Sequence, residues 1–398
     1  MDANTLFSKT AKEAKASEIR EILKVIKSKS IISFAGGMPD PALFPVEEIK
    51  VIISDVLTNR AKEALQYETT EGYDPLRLKL FNFMKDKGML ISSKEEVMVT
   101  TGSQQALDLF ARTFIDPGDA IILEEPTYLA AWSAFKPLSP EVILAPMDEK
   151  GLNTSILGKK LKSRRGERKI KFLYTVPTCQ NPTGLTMSED RRRELVELAE
   201  EHDFLIVEDD PYSYLTDGKN PLFIKALNGD HTIYTSTFSK ILAPGLRLGW
   251  VAAPKEILNK LAVLKQSLDL CTCTLSQHIA YEFMERGLLE GYIARLKPAY
   301  KEKREVMYRA LENYFPKDAK WTKPNGGMFF WVTLPKGIDT KLMLDRAIMR
   351  DVAYVPGSPF YPSGGGKNTM RLNYSYATPA QIEEGIKRLG EVIRETLK

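Results

Sequence analysis

The chain has 398 residues, 43% hydrophobic and 27% charged, ordinary for a globular protein and longer than one core usually serves, so two domains are expected. A net charge of +4 is small beside 56 basic and 52 acidic residues, which argues against nucleic acid or an anionic membrane as partner. Three cysteines without a CxxC and three scattered histidines argue against a disulfide framework and a catalytic metal, and for a reducing, cytoplasmic setting.

The N-terminal "MDANTLFSKTAKEAKASEIREILKVIK" is patterned as a charged amphipathic helix rather than a signal peptide. No later run is apolar for long enough to span a membrane. From about Glu95, strands and helices alternate. "EVMVT" reads as a strand, "SQQALDLFARTFI" as a helix and "DAIILEEP" as a strand. Then come "IKFLYTVP" (strand), "SEDRRRELVELAEEH" (helix), "FLIVEDD" (strand), and the short strands "TIYTSTFS" and "LGWVAAP". The basic run from Lys159 falls at a solvated helix end. This alternation predicts an α/β fold with a mostly parallel sheet flanked by helices. Beyond about Arg286, long helices, "GGMFFWVTL", a short strand near "VAYVPG" and a closing helix predict a smaller α+β domain.

Gly/Pro punctuation stands at the strand ends: "TGS", "EEPTY", "QNPTG" and "DDPY". Ligands of open α/β sheets bind beyond the carboxyl ends of strands, so these turns are placed to line one site. "TTGSQQ" starts a helix at Ser103, where free N–H groups and the helix dipole favour an anion. Tyr128 is a flat ring able to stack on a planar heteroaromatic, or simply a core tyrosine. Asn181 is able to donate to a phenolate-type oxygen, or only to make its turn. Asp209 follows an apolar strand and is able to keep a pyridine nitrogen protonated, and Tyr212 is on the same loop. "YTSTFSKILAPGLRLGW" sets Lys240 among hydroxyls and puts Arg247 seven residues later. A desolvated amine suits a carbonyl and the hydroxyl–Arg set suits a phosphate, although a Ser/Thr-rich turn with exposed cations explains the segment as well. Arg371, in "NTMRLNYS", offers a planar fork for an α-carboxylate or an edge-strand surface charge. No GxSxG elbow supports a serine hydrolase.

Taken in order, these segments resemble the fold-type I pyridoxal-phosphate aminotransferases over nearly the whole chain. The subgroup most resembled holds 2-aminoadipate, kynurenine and archaeal aromatic aminotransferases. The resemblance rests on "ISFAGGMPDPALFP", "LQYETTEGYDPLR", "TTGSQQALDL", "EEPTYLAA", "QNPTG", "VEDDPY", "TFSKILAPGLRLGW", "KPNGGMFFWV" and "NTMRLNYS". It implies pyridoxal 5′-phosphate as cofactor, a seven-stranded-type large-domain sheet and a smaller α+β domain. The expected limits are an arm over 1–45, a large cofactor-binding domain over 46–290 and a small domain over 291–398. Lys240 matches the Schiff-base lysine, Asp209 the partner of the pyridine nitrogen, Asn181 and Tyr212 the groups at the ring oxygen, and Tyr128 the stacking ring. Ser103, Gln104, Thr237, Ser239 and Arg247 match the phosphate ligands, with Tyr67 reaching the phosphate from the second subunit of a homodimer. Thr237 stands where the family often has Ser. Arg371 matches the α-carboxylate ligand, with Asn181 beside it, Gly37 lies at the substrate wall, and Arg20 matches an arginine able to meet a distal acid group.

The activity this implies is transfer of an α-amino group from an L-amino acid (aromatic, 2-aminoadipate or a broad range) to 2-oxoglutarate by a ping-pong cycle. Amino acids and 2-oxoacids are then the partners, with no nucleic acid, membrane or metal. A decarboxylase or C–S lyase using the same cofactor is the alternative enzyme. A regulator would need a DNA-binding domain, and about thirty residues precede "ISFAGG", too few for one.

Overall fold

The computed structural model describes residues 2–8, 11–12, 31–164, 168–218 and 222–397. In chain order the strands begin with β1 (Ile32–Ser33), β2 (Val97–Thr100), β3 (Ala120–Glu125), β4 (Glu141–Asp148) and β5 (Gly151–Leu152). There follow β6 (Ile170–Thr175), β7 (Leu205–Asp209), β8 (Thr232–Thr237) and β9 (Gly249–Ala252). The last five are β10 (Lys320–Trp321), β11 (Phe329–Thr333), β12 (Val352–Ala353), β13 (Val355–Pro356) and β14 (Thr369–Asn373). Among the described residues the α-helices longer than one turn are α1 (Val46–Asn59), α2 (Asp74–Lys85), α3 (Ser103–Phe114), α4 (Leu129–Phe135), α5 (Thr154–Ser163) and α6 (Glu189–His202). Then come α7 (Lys255–Gln266), α8 (Thr274–Glu285), α9 (Leu288–Tyr314), α10 (Thr340–Met349) and α11 (Pro379–Leu397).

The large sheet has the order β2-β9-β8-β7-β6-β3-β4-β5. Its centre, β8 to β4, is parallel, while β9 runs against both neighbours and β5 against β4. The sheet therefore has eight strands rather than seven, the eighth being the two-residue β5 that hairpins onto β4. Alternation along the buried strands decides which face each side chain packs on. Ile121 and Leu123 of β3 and Phe172 and Tyr174 of β6 join one core. Ile122 and Leu173 point the other way, into a second core with Leu157 and Leu161 of α5 and Leu195 and Ala199 of α6. Helices thus cover both faces, which is why central strands such as β3 carry apolar residues at consecutive positions.

A second sheet, β10-β11-β14-β13, is antiparallel throughout. Its β14 places Arg371 opposite Trp331 of β11, with Phe329 two residues along on the same face. β1 pairs in parallel with β12, tying residues 32–33 to the C-terminal part of the chain. Among the described residues no helix is long and apolar enough to cross a membrane.

Candidate active site

The carboxyl ends of β3, β6, β7 and β8 open toward one another, and each delivers a side chain the sequence singled out. After β8 the chain turns sharply. Ser239 N donates to Thr237 Oγ1 (3.1 Å), and that hydroxyl donates to Leu248 O (3.0 Å) and lies 2.9 Å from Ser239 Oγ. The turn sends Lys240 inward, where Nζ donates to the carbonyl of Gly37 (2.6 Å). Burial, and then the charges of Arg371 and Arg247, lower the Lys240 pKa to about 8. An amine so placed is neutral in a far larger fraction near physiological pH than an ordinary lysine, as a nucleophile or general base requires.

The anion corner lies beside it. α3 starts at Ser103 with no side-chain cap from Gly102, leaving first-turn N–H groups unused by the helix. Gly102 holds φ 71°, and a Cβ there would stand 2.6 Å from Arg247 Nη2, so only glycine lets the guanidinium lie against the helix start. Gly249 separates Thr237 from Thr100 in the sheet register, and a Cβ on it would meet Ser103 N at 2.7 Å. Hydroxyls, helix terminus and arginine are thereby brought side by side. Gln104 is exposed and donates to Ala130 O (3.4 Å), bridging α3 to α4.

β7 ends in two acids with different duties. Asp210 accepts from Ser213 N (3.1 Å), Ser213 Oγ and Tyr234 Oη (3.0 Å), so both its oxygens are occupied. Asp209 is 2% exposed; Oδ2 accepts from Tyr174 Oη (2.7 Å), whereas Oδ1 has no partner among the described residues. Burial pushes the Asp209 carboxyl up to about 7, against the opposing pull of the Tyr174 bond. Tyr174 was not singled out from sequence. The signal was a hydroxyl-bearing ring near the end of the apolar run "IKFLYTVP", where a buried Tyr O–H needs an acceptor.

Arg371, also 2% exposed, donates from Nη1 to Asn181 Oδ1 (2.8 Å) and from Nη2 to Ala35 O (2.9 Å), while Nε has no partner among the described residues. Its Cζ lies 4.3 Å from the Phe329 ring centre and 5.4 Å from that of Phe360, two more residues the sequence reading passed over. Burial lowers the Arg371 pKa to about 10, so it stays charged at neutral pH. Asn181 turns its amide nitrogen toward Tyr212 Oη (3.5 Å), and Tyr212 meets Phe329 edge-on at 5.9 Å. Burial raises the Tyr212 phenol far above its ordinary range. Tyr128, half-buried ahead of α4, is pushed up to about 12 by burial and then by the charge of Asp209.

Two of the sequence candidates stand apart. Tyr67 is 77% exposed, on the surface of the chain. Arg20 lies outside the described residues. Among the described residues no cluster of His, Cys, Asp or Glu is arranged to hold a metal ion, and Cys179, Cys271 and Cys273 are free thiols.

An open α/β sheet that gathers a lowered-pKa lysine, an anion corner and a buried arginine at its strand ends belongs to the fold-type I aminotransferases. The chain is a member of the aminotransferase class I and II family, whose model matches residues 29–389. An aromatic-amino-acid aminotransferase of Thermococcus litoralis is 51% identical, over 100% of this chain and 96% of that protein. A Pyrococcus horikoshii kynurenine aminotransferase, solved with PMP, has a TM-score of 0.96 at 50% identity, covering 100% of this chain and 99% of that one. The α-aminoadipate aminotransferase of Thermus thermophilus, solved with N-(5′-phosphopyridoxyl)-L-leucine, has a TM-score of 0.92 at 38% identity, covering 100% and 99%. The protein is an aminotransferase.

Proposed function

We propose that this aminotransferase holds pyridoxal 5′-phosphate and moves the α-amino group between L-amino acids and 2-oxoglutarate in a ping-pong cycle. The observation that carries the cofactor assignment is Asp209 Oδ1, a buried acceptor with no partner among the described residues, beside a carboxyl oxygen already fixed by Tyr174. Such an acceptor calls for a positively charged N–H donor, and a protonated pyridine nitrogen is one. The other residues fit the same group: Ser103, Gln104, Thr237, Ser239 and Arg247 for the phosphate, Asn181 and Tyr212 for the ring oxygen, and Tyr128 for the ring face. When bound, pyridoxal phosphate supplies an electron sink for the charge left at Cα.

Lys240 would hold the cofactor's aldehyde carbon through its neutral amine and, when free of it, would carry the Cα proton as general base. Asp209 keeps the ring nitrogen protonated. Arg371 receives the α-carboxylate through its fork, and the Phe329 ring under the guanidinium fixes its plane. Gly37, whose carbonyl accepts from Lys240, borders the substrate.

Aromatic amino acids and 2-aminoadipate are the proposed donors, because the similar proteins named for those substrates cover almost the whole chain. Arg20 is proposed to meet a distal carboxylate, and to leave an aromatic donor alone. A homodimer sharing its sites across the interface accounts for an exposed Tyr67 in a segment that resembles a partner-phosphate ligand. The proposed division is an arm over 1–45, a large cofactor-binding domain over 46–290 and a small domain over 291–398, in a cytoplasmic enzyme. An amino-donor panel with 2-oxoglutarate tests the reading: glutamate forms with aromatic donors or 2-aminoadipate. Product without glutamate from any donor would overturn it in favour of a lyase or decarboxylase.

A further inference from the structure

Glu124 is a carboxyl for which the reaction has no use. It is 0% exposed at the end of β3, and its hydrogen-bond partners are neutral. One oxygen accepts from Thr175 Oγ1; the other accepts from Val176 N (3.3 Å) and Gln180 Nε2 (3.0 Å). Burial pushes it up to about 7. Burying a carboxylate without a cation is costly, so a fold that retains one is using its hydrogen bonds.

Those bonds converge on the turn that carries Asn181. Gln180 Nε2 donates to Glu124 and also to Pro126 O (2.9 Å), in the loop leading to Tyr128. Gln180 Oε1 accepts from Thr183 N (2.9 Å) and Thr183 Oγ1 (2.7 Å). The Gln180 main chain closes the turn with Gly184 N and Leu185 O. Every polar atom of the Gln180 side chain is therefore engaged, with Glu124 at one end and the Asn181 turn at the other. Asn181, the next residue, must hold Arg371 with its oxygen while turning its nitrogen toward Tyr212.

We propose that Glu124 is a positioning residue: through Gln180 it locks the loops after β3 and β6 together and fixes the direction in which Asn181 donates. This rests on the cofactor reading above, in which that donor meets the ring oxygen. A donor there would draw charge from the oxygen and so lower the pH at which the bound cofactor gives up its titratable proton; with Asn181 displaced, the cofactor would keep that proton to higher pH.

Glu208 supplies the control. It is an equally buried carboxyl on β7, raised to about 7 by burial and on the same face of the sheet as Glu124, but it accepts from the backbone of Ile224 and Lys225 and receives no hydrogen bond from Gln180. The holoenzyme is titrated by absorbance without substrate, as wild type, Glu124→Gln, Gln180→Met, the double variant and Glu208→Gln. The expected result is a rise in the midpoint of about one pH unit for Glu124→Gln and for Gln180→Met, the size of one lost charge-assisted hydrogen bond. The double variant should shift no further than the larger single, since both act on one chain of contacts, and Glu208→Gln should not shift. Should Glu124→Gln fail to fold, Gln180→Met carries the test alone. A wild type that binds no pyridoxal phosphate would sink the cofactor reading. A wild type that binds it, with an unmoved midpoint in Gln180→Met or equal shifts in Glu124→Gln and Glu208→Gln, would overturn the role of Glu124.

Discussion

Tyr174 Oη donates to Asp209 Oδ2 at 2.7 Å, and that bond decides which oxygen of Asp209 is left to face the site. It also orients a carboxyl whose charged neighbours Asp210 and Glu124 carry its own sign.

The first prediction concerns that charge. Because the folded-state pKa of Asp209 is raised from 3.8 to about 7, its contribution to stability is greatest below about pH 4 and is lost as pH rises toward 7. Cofactor-free Asp209→Asn, which has no such titration, should gain on the wild type by a few kcal/mol between pH 5 and pH 8, to order of magnitude. Denaturant unfolding at the two pH values measures the difference, and an equal gap at both would contradict it. With cofactor, the same variant should lose most of its rate of Cα proton removal.

Lys240→Ala should still bind pyridoxal phosphate through the anion corner, yet borohydride should no longer fix the cofactor to the chain. Turnover should fall by roughly three orders of magnitude or more, the scale of losing both nucleophile and base. Peptide mapping of the reduced wild type checks the position, and labelling at a different lysine would refute it.

Arg371→Lys retains charge but loses the planar fork, so KM should rise about tenfold or more for amino acids and oxoacids alike. A loss confined to dicarboxylic substrates would make Arg371 a side-chain reader instead. Arg371→Gln should do one thing more. The arginine's charge is second only to burial in lowering the Lys240 pKa, so its removal should raise that pKa above about 8, seen as an alkaline shift in amine reactivity.

Lys240→Ala and Tyr67→Asp, each inactive alone, should complement when refolded together. Random pairing makes half the dimers mixed and leaves one intact site of two in each, so roughly a quarter of wild-type activity should return. No recovery from two variants that fold and dimerise normally would mean that Tyr67 serves its own chain, or no site at all.

The strands that enter the site were legible because β3, β6 and β7 are largely buried on both faces and carry consecutive apolar residues, "AIIL", "FLY" and "LIV", while β8, "TIYTST", is mostly β-branched and aromatic residues. β4 was not: "EVILAPMD" is only half-buried and contains Pro146, which demotes a strand in any sequence reading. The sequence singled out Asp209, by resemblance, without showing what keeps Asp210 from the same duty. Neighbours on a strand face opposite ways, but which face holds the site depends on Ser213 and Tyr234 arriving to occupy Asp210. Tyr174, Phe329 and Phe360 act through contacts made across the sheets, and no spacing along the chain announces them.

Asn181 has a longer reach than its size suggests. One planar amide faces Arg371 with its oxygen and Tyr212 with its nitrogen, so it cannot be turned around without offering a donor to a guanidinium. A substitution at 181 would disturb carboxylate capture and ring electronics together, and selection for a new amino donor could not act on one without damaging the other. Adaptation to new donors is then confined to walls that touch neither end of this amide. In an enzyme built this way, breadth of substrate is free to drift while the chemistry of the ring stays fixed.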